Sequence, residues 1–513
     1  MSIKRVTIIF SILILLTVGG IVATFTGPNF IQDPPTKPAS GQVGGVDEYY
    51  NQTIIWTDCG STGYKCATIK APENWFSPSS GDIQLSLKMH IAQSSDKTFI
   101  VNPGGPGASG VDFVSSAVSI LPDEITNEYN ILSFDPRGVG QSTAIKCFNN
   151  NKEKDVFLYD TYFNLPKEYN KAVDTQKKVG QQCETLSGNL SKYVDTQSTA
   201  RDLDLIRALT GQNLLNYIGY SYGTYIGEDY AALFPNSIGK VILDGVINPK
   251  LTLNEHSLSQ AKGFSLAFTS FAKYCFSNSA CPLKAAGNKD DIGAALNQTK
   301  EFLDKLSTKP LNTSTGRPLT DTAAFYGIIT ALYSKNSWGA LVSALNQAIE
   351  KNDGTQLLSF ADTYNDRQQN GNYTTNSTEA NLVINCLDEK NKTTKEYEDA
   401  QIEKYKAATP AFYKFFIYPN IACEGFPTSN ITTELDYSKQ TNNKIILIGT
   451  TGDPATPYEE AVETRKLMPG SILLTNRGDS HTSYNSQNSC IKSAVDNYIL
   501  NDKLPDDYLM CEN

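Results

Sequence analysis

The period of the apolar positions changes twice along the chain and divides it into three parts. Short apolar runs rich in β-branched and aromatic residues, bounded by Gly, Pro, Asn and Asp, predict strands at 53–56, 66–70, 83–91, 98–101, 129–134, 214–218, 241–244, 444–449 and 472–475. From 98 onward these runs alternate with stretches whose apolar residues recur every three or four positions, the helical period. That alternation predicts an α/β protein with a mostly parallel central sheet and helices on both faces. After Val246 the strand signal disappears until about 432, and helical patterns replace it, for example at 291–306 and 322–332. A helical block between two strands of one sheet predicts an inserted cap. The expected organisation is a leader and linker at 1–45, the first part of the sheet domain at 46–246, a helical cap at 247–432 and the rest of the sheet domain at 433–513.

One junction in this pattern carries chemistry. Gly219-Tyr220-Ser221-Tyr222-Gly223 sits between the apolar run 214–218 and a helical stretch. G-x-S-x-G in a strand–turn–helix setting is a nucleophile elbow, which holds the serine Oγ at a strand tip beside a helix N-terminus that favours negative charge. A serine nucleophile needs a general base, and the chain has only 3 histidines. His90 lies in an alternating strand and His256 in a polar stretch. His481 follows the last strand by a short loop, where a base is expected. The acid belongs on the loop after 444–449, which supplies Asp453; Asp479, two residues from His481, competes with it. The order Ser, Asp, His suits an α/β-hydrolase. Asn102-Pro103-Gly104-Gly105-Pro106-Gly107 follows the strand at 98–101 and offers an oxyanion hole. Its donors would be the N–H of Gly105, or of its neighbour Gly104, together with that of Tyr222.

With these segments in order, the chain resembles the prolyl-aminopeptidase family of α/β-hydrolases, in its secreted tripeptidyl-aminopeptidase-like branch. The resemblance rests on Asn102 to Gly107, on Asp135-Pro136-Arg137-Gly138-Val139-Gly140-Gln141-Ser142, and on Gly219 to Thr224 followed by Tyr230 to Pro235. It also rests on Gly449-Thr450-Thr451-Gly452-Asp453-Pro454-Ala455-Thr456-Pro457 with His481, as in a TAP-like C-terminal segment. It implies a serine exopeptidase that releases short peptides, such as tripeptides, or single residues from free N-termini. Such an enzyme must hold a cationic α-amine. The candidates are Glu228 and Asp229 just after the elbow, and Asp388 and Glu389 in the cap, where Cys386-Leu387-Asp388 matches a Cys-x-Asp segment of resembling proteins. Arg137 reads as structural, paired with a carboxylate. An esterase or lipase with the same triad is the rival reading, and a non-catalytic binding protein on a hydrolase fold is the third.

Composition narrows the setting. A formal net charge of −10 disfavours nucleic-acid partners. Neither a P-loop nor an H-E-x-x-H segment occurs, so no metal and no cofactor are expected. Peptides are the expected partners, and the sequence gives no sign of oligomeric state. The start of the chain has a short basic flank and then a charge-free apolar stretch over residues 6–25. This reads as a signal peptide, cut after Ala23, or as a signal-anchor, the only expected contact with a membrane. Residues 33–41 read as an extended linker. The expected location is secreted or in the lumen of the secretory pathway, extracellular or vacuolar. The 10 cysteines fit such an oxidising compartment, and proximity along the chain pairs Cys59–Cys66, Cys147–Cys183, Cys275–Cys281, Cys386–Cys423 and Cys490–Cys511. Sequons at Asn51, Asn189, Asn297, Asn312, Asn372, Asn376, Asn391 and Asn430 read as glycosylation sites.

Overall fold

The computed structural model describes residues 45–512 apart from 161, 285–289, 390, 429–432, 440–443 and 486–487. The leader and linker, the sequon at Asn430 and the expected end of the cap at 432 lie outside the described residues. The strands are β1 (Thr57–Asp58), β2 (Tyr64–Pro72), β3 (Asp82–His90), β4 (Thr98–Asn102), β5 (Asn130–Phe134), β6 (Leu215–Tyr220), β7 (Ile238–Asp244), β8 (Ile445–Thr450), β9 (Ser471–Arg477) and β10 (Leu509–Glu512). They form one sheet in the order β1-β2-β3-β5-β4-β6-β7-β8-β9-β10. The pairs β1–β2, β2–β3 and β3–β5 are antiparallel, and every pairing from β5–β4 to β9–β10 is parallel.

The parallel strands are buried on both faces because apolar side chains occupy both phases of their alternation. Ile100, Leu132, Tyr217, Leu243, Leu447 and Leu473 join Ile206 and Tyr230 in the core on one face. Their neighbours Val101, Ile131, Ile218, Ile242, Ile446 and Leu474 pack with Val495 and Ile499 on the other. This is the α/β-hydrolase architecture that the strand–helix alternation predicts.

Two boundaries differ from expectation. Residues 53–56 form no strand; the Gln52 side-chain amide takes both the N–H and the C=O of Lys70 at 2.8 Å, and pairing with β2 starts only at Thr57. The strand β10 was not anticipated: its short run follows a polar loop, and Cys490–Cys511 ties it to the helix Ser489–Asn501.

Between β7 and β8 the described chain is helical, with a third apolar core built on Phe264, Phe268, Phe271, Phe325, Trp338 and Phe412. The helix Leu253–Phe276 opens on a capping box of Thr252 and Glu255. Asp291 and Thr320 cap Ile292–Thr308 and Asp321–Leu332, so these helices start beside the boundaries read from periodicity. The cap core also takes Leu158, Tyr159 and Ala172 from the connection between β5 and β6. Part of the segment assigned by sequence to the sheet domain therefore packs with the cap.

The disulfides are Cys59–Cys66, Cys147–Cys183, Cys275–Cys281, Cys386–Cys423 and Cys490–Cys511. Asn376 has little to offer a glycan. Its Nδ2 donates to the carbonyls of Gly138 and Ile145, and its Oδ1 accepts the Gly140 N–H. No helix among the described residues is long and apolar enough to cross a membrane.

Candidate active site

The site lies at the carboxyl ends of β4, β6, β7, β8 and β9, where loops from adjacent parallel strands converge. Ser221 follows β6 directly, with φ 54° and ψ −125°, and is the N-cap of the helix Tyr222–Leu233. A non-glycine residue at positive φ is strained, and strain of this kind marks a nucleophile elbow. The turn is closed by contact: a Cβ on Gly219 would lie 2.4 Å from the Gly223 carbonyl oxygen. The Ser221 N–H donates to the Asp244 carbonyl at 2.8 Å.

The glycine loop after β4 lies against this elbow, because Asn102 pairs with Gly219 across the sheet. A Cβ on Gly104 would meet Tyr220 O at 2.4 Å and Ser221 Cβ at 2.9 Å, so only glycine allows the approach. The Gly104 N–H is spent on Asn102 Oδ1 at 2.9 Å. The N–H groups of Gly105 and Tyr222 are donated to no acceptor among the described residues. That distinction selects Gly105 over Gly104 as the partner of Tyr222 in a pair of available donors.

Asp453 and His481 meet across β8 and β9. His481 Nδ1 lies 2.9 Å from each Asp453 carboxylate oxygen. Asp453 is buried and accepts further from the N–H groups of Ala455 and Thr456 at 2.9 Å and from the Thr456 hydroxyl at 3.0 Å. Burial alone would depress the imidazole pKa. The charge and hydrogen bond of Asp453, with Asp244 behind it, outweigh this and hold it above its ordinary value. The His481 N–H donates to the Tyr333 carbonyl at 2.9 Å, and the Tyr333 ring stands edge-on to the imidazole at 5.1 Å. Asp479 makes no hydrogen bond to His481. Of the other histidines, His90 packs edge-on against Tyr64 at 5.2 Å, and His256 lies 3.3 Å from Glu460.

The expected amine-binding carboxylates separate. Glu228 is fully buried with both oxygens unpartnered among the described residues, and burial, then Asp229 and Glu460, push its carboxyl far above the usual range. Such burial favours the uncharged acid and places the side chain in the core rather than against a substrate. Asp229 is buried and accepts the Tyr437 hydroxyl at 2.8 Å. Glu389 accepts the N–H of Leu253 and of Asn391, so it serves the start of the helix Leu253–Phe276. Asp388 alone connects to the elbow: it accepts the N–H and hydroxyl of Thr196 at 2.9 and 2.6 Å, and the Thr196 oxygen lies 2.5 Å from the Tyr222 hydroxyl.

Sequence reasoning missed Thr196, Thr456, Tyr333 and Asp244. Thr456 had a signal in the segment Gly449 to Pro457, and Asp244 had one as an acid at the end of a predicted strand next to the nucleophile's.

Residues 409–511 match a family model described as TAP-like protein. Serine protease Hip1 of Mycobacterium tuberculosis is 31% identical over 482 residues, which cover 90% of this chain and 91% of that protein. Carboxylesterase B of the same organism is 32% identical over 494 residues, 93% of each chain. Tripeptidyl aminopeptidase of Streptomyces coelicolor is 26% identical over 479 residues, 87% of this chain and 84% of its own. Sheet, elbow, TAP-like segment and full-length similarity agree: the chain belongs to the tripeptidyl-aminopeptidase-like family of α/β-hydrolases and is a serine hydrolase.

Proposed function

We propose that the chain is an exported serine exopeptidase that releases short peptides, tripeptides among them, or single residues from free N-termini through an acyl-enzyme. The observation that supports this reading is the His481–Asp453 pair, at the carboxyl ends of the same run of parallel strands as the Ser221 elbow and the undonated N–H groups of Gly105 and Tyr222. In the proposed reaction His481 takes the Ser221 hydroxyl proton as Oγ attacks the scissile carbonyl carbon. The two N–H groups stabilise the oxyanion, and Asp453 holds the ring through Nδ1. His481 then protonates the leaving amine as the C–N bond breaks. Water, deprotonated by the same imidazole, releases the acyl group and restores Ser221.

Asp388 is the proposed partner of the substrate amine. Among the candidate carboxylates it is the one linked, through Thr196, to Tyr222, the residue after the nucleophile. The peptidase reading is supported by the relatives named serine protease and tripeptidyl aminopeptidase. Export is supported by the five disulfides, which need an oxidising compartment. The relative named carboxylesterase B favours a second reading, ester hydrolysis with the same triad.

The test compares a fluorogenic tripeptide amide with its N-acetylated form and with a simple aryl ester. Cleavage of the free amide should dominate and should vanish in Ser221→Ala. Asp388→Asn should raise KM for the free amide about tenfold and leave the acetylated form unchanged, because a charge-assisted hydrogen bond is worth roughly 1.5–3 kcal/mol. Ester cleavage without amide cleavage would move the assignment to the second reading.

A further inference from the structure

Asp244 closes β7, the strand between the nucleophile's β6 and the acid's β8. Its carbonyl oxygen accepts the Ser221 N–H. Its carboxylate is fully buried, and Oδ2 accepts the N–H groups of Ser483 and Tyr484 at 2.8 and 2.6 Å. Those residues lie just beyond His481 on the same loop. Asp453 grips this loop from the other side, through the His481 ring and, at 3.3 Å, the Thr482 N–H. Thr482 has φ 64°, so the backbone passes through the left-handed region between the two grips. A loop in that conformation persists only where its surroundings over-determine it. One residue thus fixes the nucleophile with its backbone and the base's loop with its side chain. The second oxygen, Oδ1, has no partner among the described residues. A buried carboxylate is a costly acceptor for two N–H groups that a neutral amide could also satisfy. What an amide could not supply is charge.

We propose that Asp244 is a positioning residue for the general base, a second carboxylate besides Asp453 that sets the His481 loop against Ser221 and supports the imidazolium formed in acyl transfer. The proposal rests on the triad reading above. The titratable groups around the pair come from each packed element. His481 and Asp453 face Asp244 from the β9 and β8 loops, Tyr220 faces it from β6, and Tyr333 faces Asp453 and His481 from the cap. Burial lifts the Asp244 carboxyl to about 6, against the N–H donors of Tyr484 and Ser483 and the nearby His481. Its charge is therefore lost as pH falls through about 6, below the range in which the imidazole takes up its proton.

The experiment follows the rate at which a fluorophosphonate probe labels Ser221, and steady-state cleavage of a peptide amide, across pH in wild type and Asp244→Asn. The Asn variant keeps an acceptor oxygen and loses the charge. Labelling at neutral pH should fall about ten- to hundredfold. The kcat should fall by the same factor at constant KM, and the acid limb should move to lower pH. Wild-type rates with an unmoved limb would overturn the proposal, as would a loss confined to KM. Wild-type protein that is folded but unlabelled would remove the triad reading itself. Should Asp244→Asn fail to fold, the wild-type acid limb decides. A logarithmic slope above one supports two linked protonations, and a slope of one overturns the proposal.

Discussion

The imidazole of His481 carries two opposed influences, and their balance fixes the pH behaviour. Burial favours the neutral ring; the Asp453 carboxylate, its hydrogen bond and Asp244 favour the charged ring and win. In its proposed role as general base the ring must be neutral to act. The kcat/KM should therefore rise with pH through a midpoint above the ordinary imidazole value of about 6.5 and collapse on the acid side. Asp453→Asn removes the strongest support of the charged ring, so the midpoint should move to lower pH. The plateau should fall about 10³–10⁴-fold, because ring orientation and tautomer are lost with the carboxylate. A pH–rate profile of both proteins reads both effects, and an unmoved midpoint would assign the acid limb to another group. Residues that belong to a motif are readable in sequence: Ser221 through its flanking glycines, and Asp453 and His481 through their loops after late strands. Thr196 is not, because its tie to Asp388 spans 192 positions and no local pattern encodes it.

At the scale of elements, the cap reaches the base through one short contact. The helix Asp321–Leu332 ends at Tyr333, whose carbonyl holds the His481 N–H, while Ser334 bridges to Ser480. Tyr333→Ala keeps that carbonyl and removes the ring that stands against the imidazole. Aromatic contacts of this kind are worth about 1 kcal/mol, so kcat/KM should fall about fivefold to tenfold. If the ring props the base, the loss should be equal for peptides that differ only in the residue after the scissile bond. A series of such peptides checks this, and a loss confined to aromatic leaving residues would place the ring in contact with substrate instead. The helix itself is legible from its apolar period; where its end docks is not, since period describes one face and not the partner. The strand edges show the same limit. Residues 53–56 carry the composition of a strand, yet Gln52 occupies the backbone groups of Lys70. β10 is stabilised by a disulfide and by parallel pairing to β9, neither of which its four residues announce.

At the scale of the whole molecule, parts distant in sequence are joined at a buried ion pair. Arg137, which follows β5, makes two 2.7 Å hydrogen bonds to Asp202 in the helix Thr196–Leu209, and both side chains are fully buried. The same guanidinium donates to the carbonyls of Pro72, Glu73 and Tyr193, and Trp75 Nε1 donates to Asp202 Oδ1 at 2.9 Å. The end of β2, the loop after β5 and the helix ahead of the nucleophile's strand thus share one junction. The sequence marks Arg137 as structural but leaves its partner open, because Asp202 is one of several acids in its helix and only the packing of that helix selects it. Removing one member of such a pair leaves the other charge, or a row of carbonyls, buried without a partner, which typically costs about 3–5 kcal/mol. Arg137→Met should lower the unfolding free energy read from urea titration by that amount, seen as a lower urea midpoint, and leave the Ser221 labelling rate of the folded fraction within about twofold, since the junction lies outside the reacting atoms. The double variant Arg137→Met with Asp202→Leu removes both charges and should recover much of the stability, as apolar replacements of buried pairs often do. If the single variant unfolds at the wild-type urea concentration, the junction carries no net stability. If the double variant is weaker still, the orphaned carbonyls rather than the charge set the cost.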